Sequence, residues 1–297
     1  MVRANWQNCL AQQQMLRSAP VDREALIFLH IPKSAGTTLN RLIEGEYPLF
    51  QIFSVDPVFS KWSCRHLWSL PPEQLKRFRI FKGHMLFGLH KILPQPATYF
   101  AVFRDPIDRA ISAFYFMRKH VLHPTYWKFR HLSRQLEDWV RNSPRDNVQT
   151  KIVAGAPYKE PCTPEIFEQA KHNLCQHFSV VGLLERFEES LALMKVRYGW
   201  RLESYSSFNV TRSRPRKREL PQATLDLIAE KNSFDIALYR LATEIFQQSL
   251  EQNAAAVNIV MQSLESARIR NPLRAKLFWL RAAARKAINR AYSALCR

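Results

Sequence analysis

Glycine is scarce in this chain, and its cysteines are not closely paired. There are seven glycines in 297 residues, and the five cysteines are scattered at Cys9, Cys64, Cys162, Cys175 and Cys296. An odd number without Cys-x-x-Cys spacing predicts neither a disulfide framework nor a zinc site. No apolar run approaches the roughly 18 residues of a membrane span, and residues 1–23 form a polar lead-in without a signal-peptide core. Together these absences predict a reducing, cytoplasmic location.

Acidic residues are also few relative to basic ones. Lys and Arg number 44 against 25 Asp and Glu, which gives a formal net charge of +19. This balance predicts an acidic partner such as a nucleotide, a polyanionic acceptor, nucleic acid or an anionic membrane. A solvated basic surface explains part of the excess, but it explains less well why the basic residues cluster late in the chain.

The most informative stretch has the pattern of a strand, a turn and a helix start. Ala25–His30 is a continuous apolar run, typical of a strand buried on both faces, and Pro32 ends it. A helix is expected from about Gly36 to Glu46. The residues between strand and helix offer hydroxyls, backbone N–H groups and one ammonium to an anion, which predicts a phosphate-binding loop of Lys33, Ser34, Ala35, Gly36, Thr37 and Thr38. It is not a Walker A loop, because its lysine precedes its single glycine.

A second polar group follows the predicted strand Thr98–Phe103. Arg104 comes directly after that strand, Asp105 is suited to cap a helix that begins with Pro106, and Ser112 lies two turns further on. A guanidinium and a hydroxyl are donors that suit a dianionic phosphate. Arg104 and Ser112 are therefore expected to converge on one anion.

The two segments, with Gly83-His84 between them, resemble the motifs of one enzyme family. Pro-Lys-Ser-Ala-Gly-Thr-Thr at 32–38 and Arg-Asp-Pro-Ile-Asp-Arg-Ala-Ile-Ser-Ala-Phe-Tyr at 104–115 are similar to the donor-binding motifs of sulfotransferases that use 3′-phosphoadenosine 5′-phosphosulfate (PAPS). The nearest branch is the glycan sulfotransferases of the heparan sulfate 2-O type. The resemblance implies an α/β fold with a P-loop-like parallel sheet flanked by helices. It also implies PAPS as co-substrate without a metal, and a hydroxyl-bearing acceptor that is a carbohydrate or glycan.

The resemblance also implies roles for particular residues. Arg104 and Ser112 would bind the 3′-phosphate, the loop that ends in Thr38 would bind the 5′-phosphate, and Lys33 would stabilise charge on the bridging oxygen. His84 matches the family at a strand end and is predicted to be the general base, since imidazole titrates near neutral pH. His90 is a weaker rival, and His30 is expected to be packed.

Two further polar segments admit more than one interpretation. The cluster Arg214, Arg216 and Lys217 lies in a predicted loop over 209–220; the resemblance implies a lid over the nucleotide, and a nucleic-acid or solubility patch is the alternative. We expect no nucleic-acid partner. Asp146–Lys151 is either a helix start on the acceptor side or a solvated helix face.

The remaining pattern completes the predicted domain plan. Phe78–Lys82 and His177–Leu184 are further strand candidates, so that Lys33, His84 and Arg104 all follow strand ends and are expected to meet in one crevice. The α/β domain is expected over 24–250 and a helical extension over 251–297. Residues 271–297 have the pattern of a basic amphipathic helix, which either docks on the domain or makes peripheral contact with an anionic membrane.

Two other function classes remain open from the sequence. A nucleotide kinase with a variant phosphate loop would share the strand-loop-helix pattern, with Asp105 as a magnesium ligand. A non-enzymatic polyanion-binding protein would account for the charge but not for the two ordered motifs. Sulfuryl transfer from PAPS by in-line displacement accounts for both.

Overall fold

The computed structural model describes residues 24–55, 60–119, 135–143, 145–202, 214–267 and 280, and a parallel sheet lies at its centre. The sheet has five strands in the spatial order β2-β3-β1-β4-β5. In chain order they are β1 (Ala25–Leu29), β2 (Ile52–Val55), β3 (Ile80–Gly83), β4 (Ala97–Phe103) and β5 (Phe178–Leu183). All four pairings are parallel, so every strand ends at the same edge of the sheet.

Helices flank the sheet and fill the second half of the described chain. They are α1 (Gly36–Glu46), α2 (Ser60–Ser69), α3 (Pro72–Leu75), α4 (Pro106–Lys119), α5 (Leu136–Asn142), α6 (Val148–Ala154), α7 (Pro164–His177), α8 (Phe187–Tyr198), α9 (Gln222–Lys231), α10 (Ser233–Gln252) and α11 (Ala254–Ala267). Short 3₁₀ turns occupy Leu49–Gln51, Leu89–Ile92 and Lys217–Glu219. The predicted α/β class with helices after the sheet is confirmed.

The strands form where the sequence has short apolar runs bounded by Pro, Gly or charged residues. Every residue of β1, β3 and β5 is buried, as a parallel sheet covered on both faces requires. One charged strand residue, Lys82, is buried because its Nζ donates a 2.8 Å hydrogen bond to Glu44 Oε1 of α1. The sequence pattern does not predict the edge strand β2, because its four residues lie within an aromatic and proline-containing stretch, 47–72, that has no clear period.

The order of the strands creates a crevice next to β1. From β1 the chain moves outward to β2 and back through β3 on one side, then to β4 and β5 on the other side. The loops after the neighbouring strands β1 and β4 therefore diverge, and open α/β sheets bind ligands at the carboxyl ends of such a pair. This topology brings the predicted phosphate loop and Arg104 to adjacent positions.

One cysteine departs from the sequence expectation. Cys175 near the end of α7 is disulfide-bonded, whereas Cys64 and Cys162 are free. One such bond is not a disulfide framework, but it departs from the expectation of a reducing compartment, which stays a prediction.

Some predictions concern residues that the structure does not describe. The polar lead-in 1–23 lies outside the described residues, as does the amphipathic segment 271–297 apart from Leu280, which is exposed. Within the described part of the chain, no helix has both the length and the apolar composition needed to cross a membrane. The domain boundary at 250 stays a prediction; α10 runs across it to Gln252.

Candidate active site

The loop between β1 and α1 has an unusual backbone. Lys33 and Ala35 both adopt positive φ angles, 73° and 55°, although neither is glycine. Such a conformation costs roughly 1–2 kcal/mol per residue for a side chain with a Cβ. Strain of this kind persists where the surrounding structure enforces it, and it concentrates at ligand-binding loops. The strained loop leads directly into the N-terminus of α1, where backbone N–H groups favour an anion.

Gly36 is required by a close approach rather than by its own φ angle. A Cβ at this position would lie 1.7 Å from His30 Nε2, so that only glycine leaves room for the imidazole. His30 is buried, as predicted, and its ring centroid lies 4.3 Å from that of His84. Burial, followed by the charges of His84, Lys82 and Lys33, holds the pKa of His30 well below its usual range. The residue is therefore neutral at physiological pH.

Lys33 is held by contacts from the β4–α4 segment at both its backbone and its side chain. Arg104 Nη1 donates a 2.8 Å hydrogen bond to the Lys33 carbonyl, and Lys33 Nζ lies 3.7 Å above the centre of the Phe116 ring. Burial, with the nearby charges of Arg104 and Arg214, lowers the pKa of Lys33 to about 8. The ammonium is thus partly dehydrated and close to its titration range.

Arg104 is the centre of a charged network at the end of β4. Its guanidinium donates from Nε (3.2 Å) and from Nη2 to the same oxygen of Asp108, one helical turn along. Arg214 reaches the same carboxylate with two hydrogen bonds of 2.7 and 2.8 Å. Burial acts to raise the pKa of Asp108, but the hydrogen bonds and charges of Arg214 and Arg104 outweigh it and keep the carboxylate ionised.

Ser112 lies on the stripe of α4 that faces this network. Asp108, Ser112 and Phe116 are spaced four residues apart, so they share one face of the helix. Asp108 at one end of the stripe contacts Arg104, and Phe116 at the other end contacts Lys33. Ser112, which is buried, therefore lies between the two contacts. The structure brings the predicted pair, Arg104 and Ser112, to the same side of the crevice as Lys33.

The basic segment after 214 docks onto the same helix start. Besides the Arg214 contacts, Lys217 Nζ lies 3.3 Å from Asp105 Oδ2. Arg216 has an exposed side chain, and its backbone N–H donates to Glu219. The predicted loop character is confirmed for 214–216, whereas Lys217 belongs to a 3₁₀ turn. The remainder of the predicted loop before Arg214, residues 209–213, lies outside the described residues.

Asp105 serves the fold. Its Oδ1 accepts a 2.8 Å hydrogen bond from the Asp108 N–H, which confirms the predicted helix cap, and its Oδ2 faces Lys217. Both carboxylate oxygens are therefore engaged by the protein, which argues against the magnesium role that a kinase would give this residue. Among the described residues, no three His, Cys, Asp or Glu side chains are grouped so that they could bind a metal ion.

Four of the described histidines form two pairs at opposite edges of the sheet. His84 directly follows β3, is half-buried and lies against His30 on the crevice side. His90 instead stacks on His177, which directly precedes β5, and its Nδ1 lies 2.9 Å from the Tyr99 hydroxyl. His90 is thus at the amino end of the sheet and cannot act in the crevice.

Residues 147–151 are buried and Asp146 is half-buried, so the interpretation of this segment as a solvated helix face is wrong. Lys151 is 1% exposed and its Nζ lies 2.7 Å from Asp146 Oδ1. Gln149 is fully buried and binds the backbone of Arg104. Sequence reasoning did not assign Gln149, Asp108 or Phe116 to the site. The four-residue spacing from Arg104 and Ser112 was the available signal for the last two.

The comparison with known families agrees with this geometry. The profile of the sulfotransferase family matches residues 20–242, which is most of the chain, and the protein therefore belongs to that family. The predicted family resemblance is confirmed.

Two proteins of Mus musculus are distant relatives. Galactose-3-O-sulfotransferase 2 is 22% identical over 247 residues, an alignment that covers 76% of this chain and 62% of the relative. Galactose-3-O-sulfotransferase 3 is 21% identical over 266 residues, covering 75% of this chain and 57% of the relative. The chain thus spans less than two thirds of the length of either relative.

Proposed function

We propose that the protein transfers a sulfuryl group from PAPS to a hydroxyl of a carbohydrate acceptor. The observation that carries this proposal is the hydrogen bond from Arg104 to the Lys33 carbonyl, which joins the two predicted anion-binding segments at the β1–β4 switch point. Membership of the sulfotransferase family supports the class of reaction. The names of the two relatives support a sugar as acceptor.

In this proposal the donor lies across the carboxyl ends of β1 and β4. Arg104 and Ser112 bind the 3′-phosphate, and residues 34–38 bind the 5′-phosphate with loop N–H groups and hydroxyls. Arg214, Arg216 and Lys217 cover the nucleotide from the outside. The contacts of Arg214 and Lys217 with the start of α4 support this placement, because they hold the basic segment beside Arg104.

Transfer is an in-line displacement at sulfur. The acceptor oxygen forms a bond to sulfur while the bond from sulfur to the bridging phosphate oxygen breaks, and the electron pair of that bond stays on the departing phosphate. Lys33 stabilises the charge that grows on the bridging oxygen, and His84 takes the acceptor proton. Positioning and electrostatic stabilisation supply most of the rate, as in phosphoryl transfer.

The His84 base is tested by substitution. His84→Ala should lower kcat by about 10²–10⁴-fold, the usual contribution of a general base, while binding of the desulfated product PAP is retained. His90→Ala is the matched control, because His90 lies at the opposite edge of the sheet. Full kcat in the His84 variant between pH 6 and 8 would rule out the base role.

The donor is tested by calorimetry of the intact protein. PAP should bind tightly without a metal, whereas ATP with magnesium should bind weakly. Tight ATP binding would favour the kinase, and binding of neither nucleotide would favour a polyanion-binding protein. Either result would overturn the proposal.

The acceptor class is tested with labelled PAPS. Galactose-terminated oligosaccharides should accept label, and the matched control is the same set after removal of the terminal galactose. Label on galactose would show that this chain accepts the sugar that the relatives are named for. Label on peptide or small phenols, with none on sugars, would refute a carbohydrate acceptor.

A further inference from the structure

Gln149 holds both backbone polar atoms of Arg104. Its Oε1 accepts a 3.1 Å hydrogen bond from the Arg104 N–H, and its Nε2 donates a 2.9 Å bond to the Arg104 carbonyl. Arg104 directly follows β4 and has left the ladder of the sheet, so its backbone needs such partners from elsewhere. Gln149 has no exposed surface, and a buried carboxamide with both ends bonded is fixed in orientation.

A buried carboxylate in turn fixes Gln149. Asp235 of α10 accepts hydrogen bonds from the backbone N–H groups of Gln149 (3.1 Å) and Thr150 (2.7 Å), and from the Thr150 hydroxyl (2.8 Å). The same carboxylate lies 3.8 Å from the guanidinium of Arg109 on α4. Asp235 therefore anchors the start of α6 and approaches α4, the helix that carries Asp108 and Ser112.

We propose that Gln149 is a positioning residue for Arg104, and that its two hydrogen bonds to the Arg104 backbone set the protein's preference for a nucleotide with a 3′-phosphate. The inference rests on the proposed function, since it takes the 3′-phosphate as the ligand of Arg104. The guanidinium shares its donors between Asp108 and the Lys33 carbonyl, and the geometry of both contacts depends on where the Arg104 backbone lies. A phosphate must be met by the remaining donors in a fixed direction, so a small backbone shift weakens its recognition.

The test compares two ligands that differ only in the 3′-phosphate, PAP and adenosine 5′-phosphate. Gln149→Met keeps the length of the side chain but removes both hydrogen bonds, and Gln149→Asn withdraws the amide by one methylene as a milder change. Thr150→Val is the matched control, because it deletes the neighbouring hydroxyl bond to Asp235 without touching Arg104. Affinities are measured for all variants by calorimetry, with circular dichroism and thermal unfolding to confirm that each one folds.

The expected result is a selective loss. In the wild type, PAP should bind more tightly than adenosine 5′-phosphate, and Gln149→Met should reduce that ratio by about tenfold or more. Gln149→Asn should reduce it less, and Thr150→Val should lower the melting temperature but keep the ratio. An unchanged ratio in folded Gln149 variants, or an equal loss in Thr150→Val, would overturn the positioning role alone. If the wild type binds PAP and adenosine 5′-phosphate with equal affinity, the proposed function and this inference are both overturned.

Discussion

Lys33 combines a strained backbone with a side chain that loses its proton easily. Its positive φ is maintained because Arg104 binds its carbonyl, and its ammonium rests on the ring of Phe116. Burial and the two neighbouring arginines lower its pKa to about 8, so a modest rise in pH removes its charge. A bound anion would restore that charge by favouring the protonated form. In the proposed function, donor binding and the protonation of Lys33 are therefore expected to be coupled.

This coupling predicts the pH dependence of transfer. Because kcat/KM reports the free enzyme, it should fall above about pH 8, whereas kcat should persist to higher pH in the donor complex. Lys33→Ala should lower kcat by about 10²-fold or more. Lys33→Arg should keep the positive charge, so that kcat/KM of this variant no longer falls at alkaline pH. A wild-type kcat/KM that stays flat to about pH 10, the ordinary range of lysine, would contradict the role.

Gly36 and His30 form a pair in which one residue makes room for the other. Gly36→Ala should destabilise the protein by about 1–3 kcal/mol, the usual cost of overpacking, because the new Cβ meets the imidazole at 1.7 Å. Adding His30→Ala should recover part of that loss, so the two changes should be less than additive. Chemical denaturation of the single and double variants measures this.

Gly45 provides the control for that experiment, since it lies in the same helix and a Cβ added there would meet nothing within 4 Å. Gly45→Ala should stabilise the helix by roughly 0.5–1 kcal/mol. Equal effects of alanine at the two glycines would show that His30 does not depend on Gly36.

At the scale of elements, α4 links the site to the rest of the fold. Asp105 caps its first turn, and Lys217 contacts the same carboxylate from the basic segment. Asp105→Ala should cost about 1 kcal/mol through loss of the cap. Asp105→Asn should keep most of that stability, since asparagine caps helices equally well, but it removes the charge that faces Lys217.

The two substitutions at Asp105 separate the cap from the charge contact. Unfolding in urea reports the cap, and tryptic cleavage after Lys217 reports how firmly the basic segment is held. The alanine variant should unfold at lower urea concentration and be cleaved faster after Lys217. The asparagine variant should differ from the wild type mainly in its faster cleavage. If the asparagine variant is as unstable as the alanine variant, the carboxylate contributes chiefly through its charge.

The sequence predicts the elements that carry a strong local signal and misses those defined by distant contacts. β1, β4 and β5 are apolar runs with clear ends, so their bounds agree with prediction to within one residue. β2 is recognised only through its pairing with β3. In that pairing Ile52 lies opposite Ile80, which is 28 residues further along the chain. Phe116 and Gln149 look like ordinary helix residues, and their places beside Lys33 and Arg104 come from the packing of α4 and α6 against the sheet edge.

At the scale of the whole molecule, the excess of basic charge has a partial local explanation. Arg104, Arg214 and Lys217 surround two carboxylates at one edge of the sheet, and Lys33 lies beside them. This edge therefore carries an excess of positive charge that a bound nucleotide with several phosphates would balance. Sequence composition alone indicates such a partner, but only the topology places these cations around one crevice.

The disulfide at Cys175 bears on where the whole protein can work. Cys175 is buried near the end of α7, just before β5, and is disulfide-bonded. Disulfides persist in oxidising compartments, and a cytoplasmic location remains a proposal from sequence that this bond weighs against. Reduction with dithiothreitol should therefore lower the free energy of unfolding, by about 2–4 kcal/mol for a typical structural disulfide.

Two serine substitutions make that prediction specific. Cys175→Ser should match the reduced wild type and should show no further change on reduction, whereas Cys162→Ser, at a free cysteine, should keep the full response. Peptide mapping of the unreduced protein should find Cys175 in a crosslinked pair. A Cys175 thiol that reacts with a maleimide in the unfolded, unreduced protein would contradict the bond, and Cys175 would then no longer weigh against a reducing compartment.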